Sequence, residues 1–363
     1  MRLSLTVSIA AGVLAAIALL SACSSGTSQG SNSTLPSSDI IKVIGHPNGP
    51  LSATIKEFAL PHSGSQPFGI TLGPDGNLWF TELAGNRIGR ITLAGTITEY
   101  SLPRSGSSAV SIAAGSDGNL WFTEFYGNAI GQINSKTHTI TEFSSGLSPN
   151  SGPNFITPGR PGNLLFTEAG EYPYGIKIGM ITTSGKITKQ YSIPTAYNSN
   201  PEGIVLGWDN KAWIAEANAG NAIVSSTASG NMTVFRSGLS FGAYPQGIAA
   251  GPDGNLWFTE SGSTARIGRI TVTGTITEFS SGISQCGCNY NLYGITPGPD
   301  GNLWFTETAT NKIGQITTAG QVTEYSGLSA SSGPQGITAG PQGTLWFTED
   351  AGNRIGRLTL PPV

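Results

Sequence analysis

Side chains able to do chemistry are sparse in this sequence. It holds three histidines, His46, His62 and His138, and three cysteines, Cys23, Cys286 and Cys288. Carboxylates are more regular. Glu82, Glu124, Glu168, Glu216, Glu260, Glu307 and Glu349 each close a short phrase of the type LWFTE, and Asp350 follows the last of them. A histidine beside a carboxylate can move a proton near neutral pH. His62 is the only histidine placed to approach Asp350, so these two are the candidates for acid–base catalysis. A carboxylate that recurs in every repeat is more economically scaffold, bonding backbone amides of the following loop, than a ring of cation ligands. Cys286 and Cys288 can form a local disulfide in an oxidising compartment but offer too few ligands for a zinc site. There is no phosphate-binding glycine loop and no His/Cys cluster with metal spacing.

The elements that must position these groups are set by the same phrases. Trp79, Trp121, Leu165, Trp213, Trp257, Trp304 and Trp346 stand at their centres, separated by 42, 44, 48, 44, 47 and 42 residues. A strand-like unit of that period marks propeller blades. Each unit reads as four short runs rich in Ile, Thr, Phe, Trp and Tyr, punctuated by turns such as Gly73-Pro74-Asp75-Gly76. The last unit stops after Arg354 to Thr359, its third run, while Thr54 to Phe58 forms an unmatched fourth-type run before the first unit. Pairing the two removes an open sheet edge. The expectation is therefore all-β: a seven-bladed β-propeller of four-stranded antiparallel blades, closed by the N-terminal strand pairing in the last blade, each blade burying its own small core.

In such a ring the residue eleven places before each central Trp or Leu165 lies beside the axial channel on one face. These are Phe68, Val110, Asn154, Glu202, Gln246, Tyr293 and Gln335. Asn154, Glu202, Gln246, Tyr293 and Gln335 are accordingly the candidate ligand-binding residues, suited to an uncharged or weakly cationic small polar ligand, a glycan or a peptide. Connections on that face depart most from the repeat and carry aromatics: Glu171-Tyr172-Pro173-Tyr174, Phe241, Tyr244 and Tyr290. Aromatic loops over a rigid scaffold are common at binding surfaces.

Charged residues make up only 11% of the chain, 18 basic against 21 acidic, with no basic patch, so nucleic acid is not an expected partner. The first residues, Met1-Arg2-Leu3, lead into an apolar stretch to Leu20 and then Ser21-Ala22-Cys23-Ser24. A basic start, a short apolar region and small residues describe a secretory signal, and Leu20 to Cys23 resembles the bacterial lipobox, in which the Cys is acylated. Residues 1–22 are then a lipoprotein signal peptide, 23–39 a flexible Ser/Gly/Asn-rich tether and 40–363 the propeller domain, with 40–52 a strap onto the ring. The expectation is an exported monomer, held at the bacterial cell envelope only by the lipid on Cys23.

The unit P-x-G-I-T-x-G-P-D-G-N-L-W-F-T-E, followed by I-G-R-I-T and G-x-I-T-E-[YF], resembles the virginiamycin B lyase (streptogramin lyase) family over about residues 54–360. The resemblance implies a seven-bladed propeller whose active members open cyclic streptogramin B antibiotics by Mg2+-dependent elimination at the ester bond. It also implies a histidine at the x of P-x-G-I in each of the last two blades, a Glu two residues before the last of these, and a carboxylate just after the last W-F-x-x. This sequence has Tyr293, Gln335, Gly333 and Asp350 there, so the resemblance leaves Asp350 as the candidate metal ligand. Neither a phenol nor an amide titrates near neutrality. The reading is thus a family propeller that binds a ligand at the channel mouth without the lyase chemistry. The alternatives are a divergent Mg2+-dependent lyase or lactonase-like hydrolase, and a cell-envelope protein-interaction module.

Overall fold

A computed structural model describes residues 40–46, 49–170, 175–195, 199–218, 220–288 and 291–361. The signal segment, the tether with Cys23, the insert 171–174 and Tyr290 lie outside the described residues. Every regular element among those described is a strand. Blade one is built from β3 (Pro67–Leu72), β4 (Leu78–Glu82), β5 (Arg87–Ile91) and β6 (Ile97–Ser101), hydrogen-bonded in chain order as an antiparallel meander. Five further four-stranded sheets repeat that order.

The seventh sheet closes the ring. Its inner strands are β27 (Pro334–Gly340), β28 (Thr344–Glu349) and β29 (Arg354–Thr359), and its fourth is β2 (Gly49–Ala59), from the start of the domain. β2 runs antiparallel to β29 with Ile55 opposite Leu358 and Phe58 opposite Ile355. The unmatched run Thr54 to Phe58 is thus the missing fourth strand. The strap is more ordered than its sequence suggested. Residues Ile40–His46, β1, add a fifth strand outside β2, with Ile41 opposite Lys56 and Val43 opposite Thr54.

The hydrophobic cores lie between blades rather than within each one, which corrects the expected arrangement. One cluster joins Phe58, Ile355 and Trp346 of blade seven to Ile70, Leu78 and Phe80 of blade one. Another joins Trp304 and Ile313 of blade six to Leu345 and Phe347 of blade seven. A blade is a single sheet whose two faces both carry apolar side chains, so each face is buried only by its neighbour. The six tryptophans at the phrase centres are fully buried. In five blades the indole N–H donates to the turn aspartate, as Trp79 to Asp75 at 2.9 Å and Trp257 to Asp253 at 3.0 Å, and in blade seven Trp346 donates to Thr344 Oγ1 at 3.0 Å. The glycine of each I-G-R phrase is required by the Phe two places after the start of the facing strand. At Gly356 an added Cβ would overlap the Phe347 ring.

Two repeated devices fix the axial end of each blade. Pairing between the first two strands shifts register at the channel position, as between Pro67 and Ile70 and between Pro334 and Ile337. This bulge aims the channel residue at the axis. The amide it frees donates to the Thr of the phrase, whose hydroxyl donates onward to the next blade's channel-position carbonyl. Gly336 N–H reaches Thr348 Oγ1 at 2.9 Å, and Thr348 reaches the Phe68 carbonyl at 2.7 Å across the ring's seam. The same link joins Thr259 to Tyr293 and Thr306 to Gln335, each at 2.7 Å. Blade four has Ala215 there and lacks it. On the mouth face, asparagines with positive φ tie five of the incoming connections. Asn311 (φ 58°) donates to the Ser329 carbonyl and accepts from Gly333 N–H, and Asn353 (φ 53°) does the same for His62 and Ser65.

Candidate functional site at the channel mouth

These devices bring Asn154, Glu202, Gln246, Tyr293 and Gln335 together around the axis with Phe68 and Val110. None is more than 7% exposed. They form a plug rather than the lining of a wet channel. Its apolar side packs Phe68, Leu83 and Val110 on Tyr293, with Phe68 and Tyr293 rings edge to face at 5.2 Å. Beneath it lies an axial cavity of about 250 Å3 whose wall includes Ile70, Ile112, Ile156, Ile204, Ile248 and Ile337.

The polar side is under-bonded. Glu202 accepts from Asn200 and, at 3.3 Å, from Asn154. Burial pushes its carboxyl up to about 8, against the Asn154 bond, so the group is largely neutral at pH 7. Burial, with the Glu202 charge a lesser cause, holds the Tyr293 phenol well above its ordinary value. Four buried acceptors at the mouth have no hydrogen-bond partner among the described residues: Asn154 Oδ1, Gln246 Oε1, Gln335 Oε1 and Asp350 Oδ1. Asp350 follows β28, where its N–H donates to the Gly333 carbonyl at 3.1 Å, and burial alone pushes its carboxyl up to about 7.

His62 does not join it. Its Nδ1 bonds Glu99 on the outer strand of blade one, and its ring is largely exposed. The connection holding His62 is tied down by Asn353, which accepts at Ser65 N–H and so aims the imidazole outward. The expected His62/Asp350 pair is therefore not formed. Among the described residues no group of three His, Cys, Asp or Glu could hold a metal. The Mg2+ implied by the family resemblance finds one carboxylate, Asp350, and at position 333 a glycine with only backbone to offer. The donor set does not fit that ion.

Comparison with known proteins identifies the scaffold. A sequence model of the virginiamycin B lyase family matches residues 44–236, 136–288 and 245–361. The chain belongs to the virginiamycin B lyase family. Solved family structures agree throughout: virginiamycin B lyase from Staphylococcus aureus, as the selenomethionine protein, is 38% identical, with a TM-score of 0.77 over 85% of this chain and all of that one. A catalytically inactive histidine-to-alanine variant of the S. aureus enzyme, solved with quinupristin, is 39% identical at the same TM-score and coverage. A streptogramin B lyase is 36% identical, again at 0.77, covering 85% of this chain and 98% of its own. Set against the family pattern, Tyr293, Gln335, Gly333 and Asp350 do meet at the mouth of the last two blades, but only Asp350 keeps a titrating group suited to neutral pH.

The repeated glutamates are scaffold of a different kind from that expected. All seven are fully buried. Among the described residues three of them accept from side chains, not loop amides: Arg87 Nε to Glu82 at 2.9 Å, Thr310 to Glu307 at 2.6 Å and Thr195 to Glu216 at 3.1 Å. Burial pushes Glu124, Glu168 and Glu216 up to about 7 and Glu307 and Glu349 to about 8, with the outer-strand carboxylates Glu324 and Glu57 helping in the last two. Carboxyls that burial holds this far above their ordinary range carry reduced negative charge near pH 7, which weakens the case for a cation ring. Of the loop aromatics, Phe241 is fully exposed and Tyr244 half-buried, while Cys286 and Cys288 are bonded to each other across Gly287 beside blade six. Sequence reading missed the Thr links and the Asn ties. Their signal was present, since both recur at fixed places in the repeat.

Proposed function

We propose that this protein binds a small, uncharged or weakly cationic polar ligand, a sugar or short peptide group, at the channel mouth and does not open streptogramin rings. The four unpartnered acceptors at Asn154, Gln246, Gln335 and Asp350 support this most directly. Buried polar atoms without partners cost stability, and a donor-rich ligand edge or the water it displaces supplies what they lack. The near-neutral state of Glu202 removes the charge that would otherwise select a strong cation. Loss of lyase chemistry is supported by Tyr293 and Gln335 at the imidazole positions and Gly333 at the carboxylate position.

The test is a turnover and binding assay of the full chain with a streptogramin B antibiotic, with Mg2+ and with EDTA, followed by chromatographic shift. No opening at high protein concentration, together with saturable binding of a sugar or peptide that Gln335→Ala removes, is the expected result. Metal-dependent opening overturns the proposal. A second reading, a divergent lyase, draws on one observation: Asp350 is a buried, unpartnered carboxyl poised near neutrality, the state a general base requires. Ring opening that disappears in Asp350→Asn would favour it. Export and lipid anchoring at Cys23 belong to the same proposal and are supported by Leu20-Ser21-Ala22-Cys23 and the apolar stretch before it.

A further inference from the structure

Blade three lacks a ring that every other blade carries. In six blades the central Trp is stacked or tilted against an aromatic of its own fourth strand, with centroids at 5.7 Å for Trp346 and Phe58, 5.5 Å for Trp121 and Phe143, and 5.1 Å for Trp304 and Tyr325. In blade three the central residue is Leu165, while the fourth-strand aromatic, Tyr191, remains. The turn acceptor is gone as well. Asp75, Asp117, Asp209, Asp253 and Asp300 take the indole N–H in five blades, and Pro161 stands at that position in the third.

The space is not refilled. A solvent-open cavity of about 80 Å3 lies between blades three and four, with apolar walls from Leu165, Ile178, Met180, Tyr191, Leu206 and Ala212. Arg160 and Lys189, both exposed, stand at its rim. Lys189 Nζ donates to the Ala228 carbonyl at 2.8 Å, whereas Arg160 makes no side-chain hydrogen bond among the described residues. The turn carboxylate that five other blades carry has no counterpart here, because Pro161 replaces the aspartate.

We propose that this slot is a second binding site, on the face opposite the channel mouth, for a single planar aromatic ring carrying a carboxylate. The ring takes the place of the absent indole, offset-stacked on Tyr191, and its carboxylate meets Arg160 and Lys189 at the rim. The cavity is roughly half the ~150 Å3 apolar void known to enclose benzene. A one-ring ligand therefore seats by one edge, with its charged end at the opening, and a fused bicycle does not.

Benzoate is the probe, titrated into the full chain by ligand-observed saturation-transfer NMR and by calorimetry. Saturable binding in the millimolar range is expected, weakened about fivefold or more by Arg160→Glu or Lys189→Glu. These surface changes leave the fold intact. Leu165→Trp with Pro161→Asp rebuilds the indole and its acceptor and should abolish binding. Benzylamine, of reversed charge, should not compete. The assignment fails if the native protein shows no saturable benzoate signal, if the rebuilt blade binds as well as the native one, or if benzylamine binds equally.

Discussion

Replacing Thr348 with Val should loosen the ring at its seam. Thr348 is fully buried and holds two bonds, accepting from Gly336 N–H at 2.9 Å and donating to the Phe68 carbonyl at 2.7 Å. Val has nearly the same volume, so no cavity opens and the loss is confined to hydrogen bonding. Two net contributions of ~1 kcal/mol each vanish, and the stranded amide and carbonyl add desolvation that brings the cost to about 2–4 kcal/mol. For a domain of this size that lowers Tm by roughly 3–6 °C. Thr348→Ser keeps the hydroxyl and gives up one methyl, a loss of about 1 kcal/mol. Calorimetric melts of the two variants beside the native chain separate the causes. Val should be the worse by at least ~1 kcal/mol. Equal destabilisation would show that the methyl matters and the seam bond does not, and the account of how the channel residues are positioned would fall. Ala215 offers the converse, since Ala215→Thr inserts the one link the ring lacks and should stabilise by up to ~1 kcal/mol.

Gly356→Ala should be far more damaging, because its Cβ overlaps the rigid Phe347 ring; a loss above ~3 kcal/mol, or no soluble protein, is expected from chemical denaturation. Asp350 is held above its ordinary carboxyl value, so the native state binds its proton more tightly than the unfolded chain and this group's contribution falls as pH rises from about 4 to about 7. Asp350→Asn should therefore match the native protein at pH 4 and exceed it by roughly 2–4 kcal/mol above pH 7, read from melts across that range. Gln246→Leu should raise Tm slightly while abolishing binding of any ligand found at the mouth, measured by calorimetry with the same ligand. Cys23→Ala should release the protein from the membrane fraction and end its labelling with radioactive palmitate in a bacterial host.

The fold was legible because its information is repeated. Seven phrases at near-constant spacing fixed blade number, and the unmatched run at Thr54 to Phe58 fixed closure, since an edge with no partner has one solution in a ring. What a single repeat cannot show is what lies across from it. The cores proved to join neighbouring blades, and Phe347 over Gly356 or Thr348 to Phe68 are pairings visible only once strands are placed. The channel residues were found by counting back from each Trp, but counting gives direction and not depth. The bulge at each channel position, followed by the Thr link, draws these side chains inward until they seal the axis. His62 was misjudged for a related reason: nearness along the chain to the seam suggested Asp350, while the Asn353 tie turns the imidazole towards Glu99.

Energetic cost separates scaffold from site within the plug. Unpartnered oxygens also occur on Glu124, Glu168, Glu260 and Glu349, but those recur with the blade, and burial raises each carboxyl so that it gains a proton, and with it a donor, more readily than an ordinary carboxylate. Gln246, Gln335 and Asn154 have no such escape, because an amide cannot shed its acceptor. Neighbouring blades fill the same position with Phe68 and Val110, so an apolar plug is accessible to this backbone and would be the more stable choice. Stability therefore does not explain the amides. On the proposed ligand-binding reading, the polar half of the plug, from Asn154 to Gln335 with Asp350, is where a ligand would complete the hydrogen bonding, and substitutions that trade its amides for hydrocarbon are the ones that should cost binding while sparing the fold.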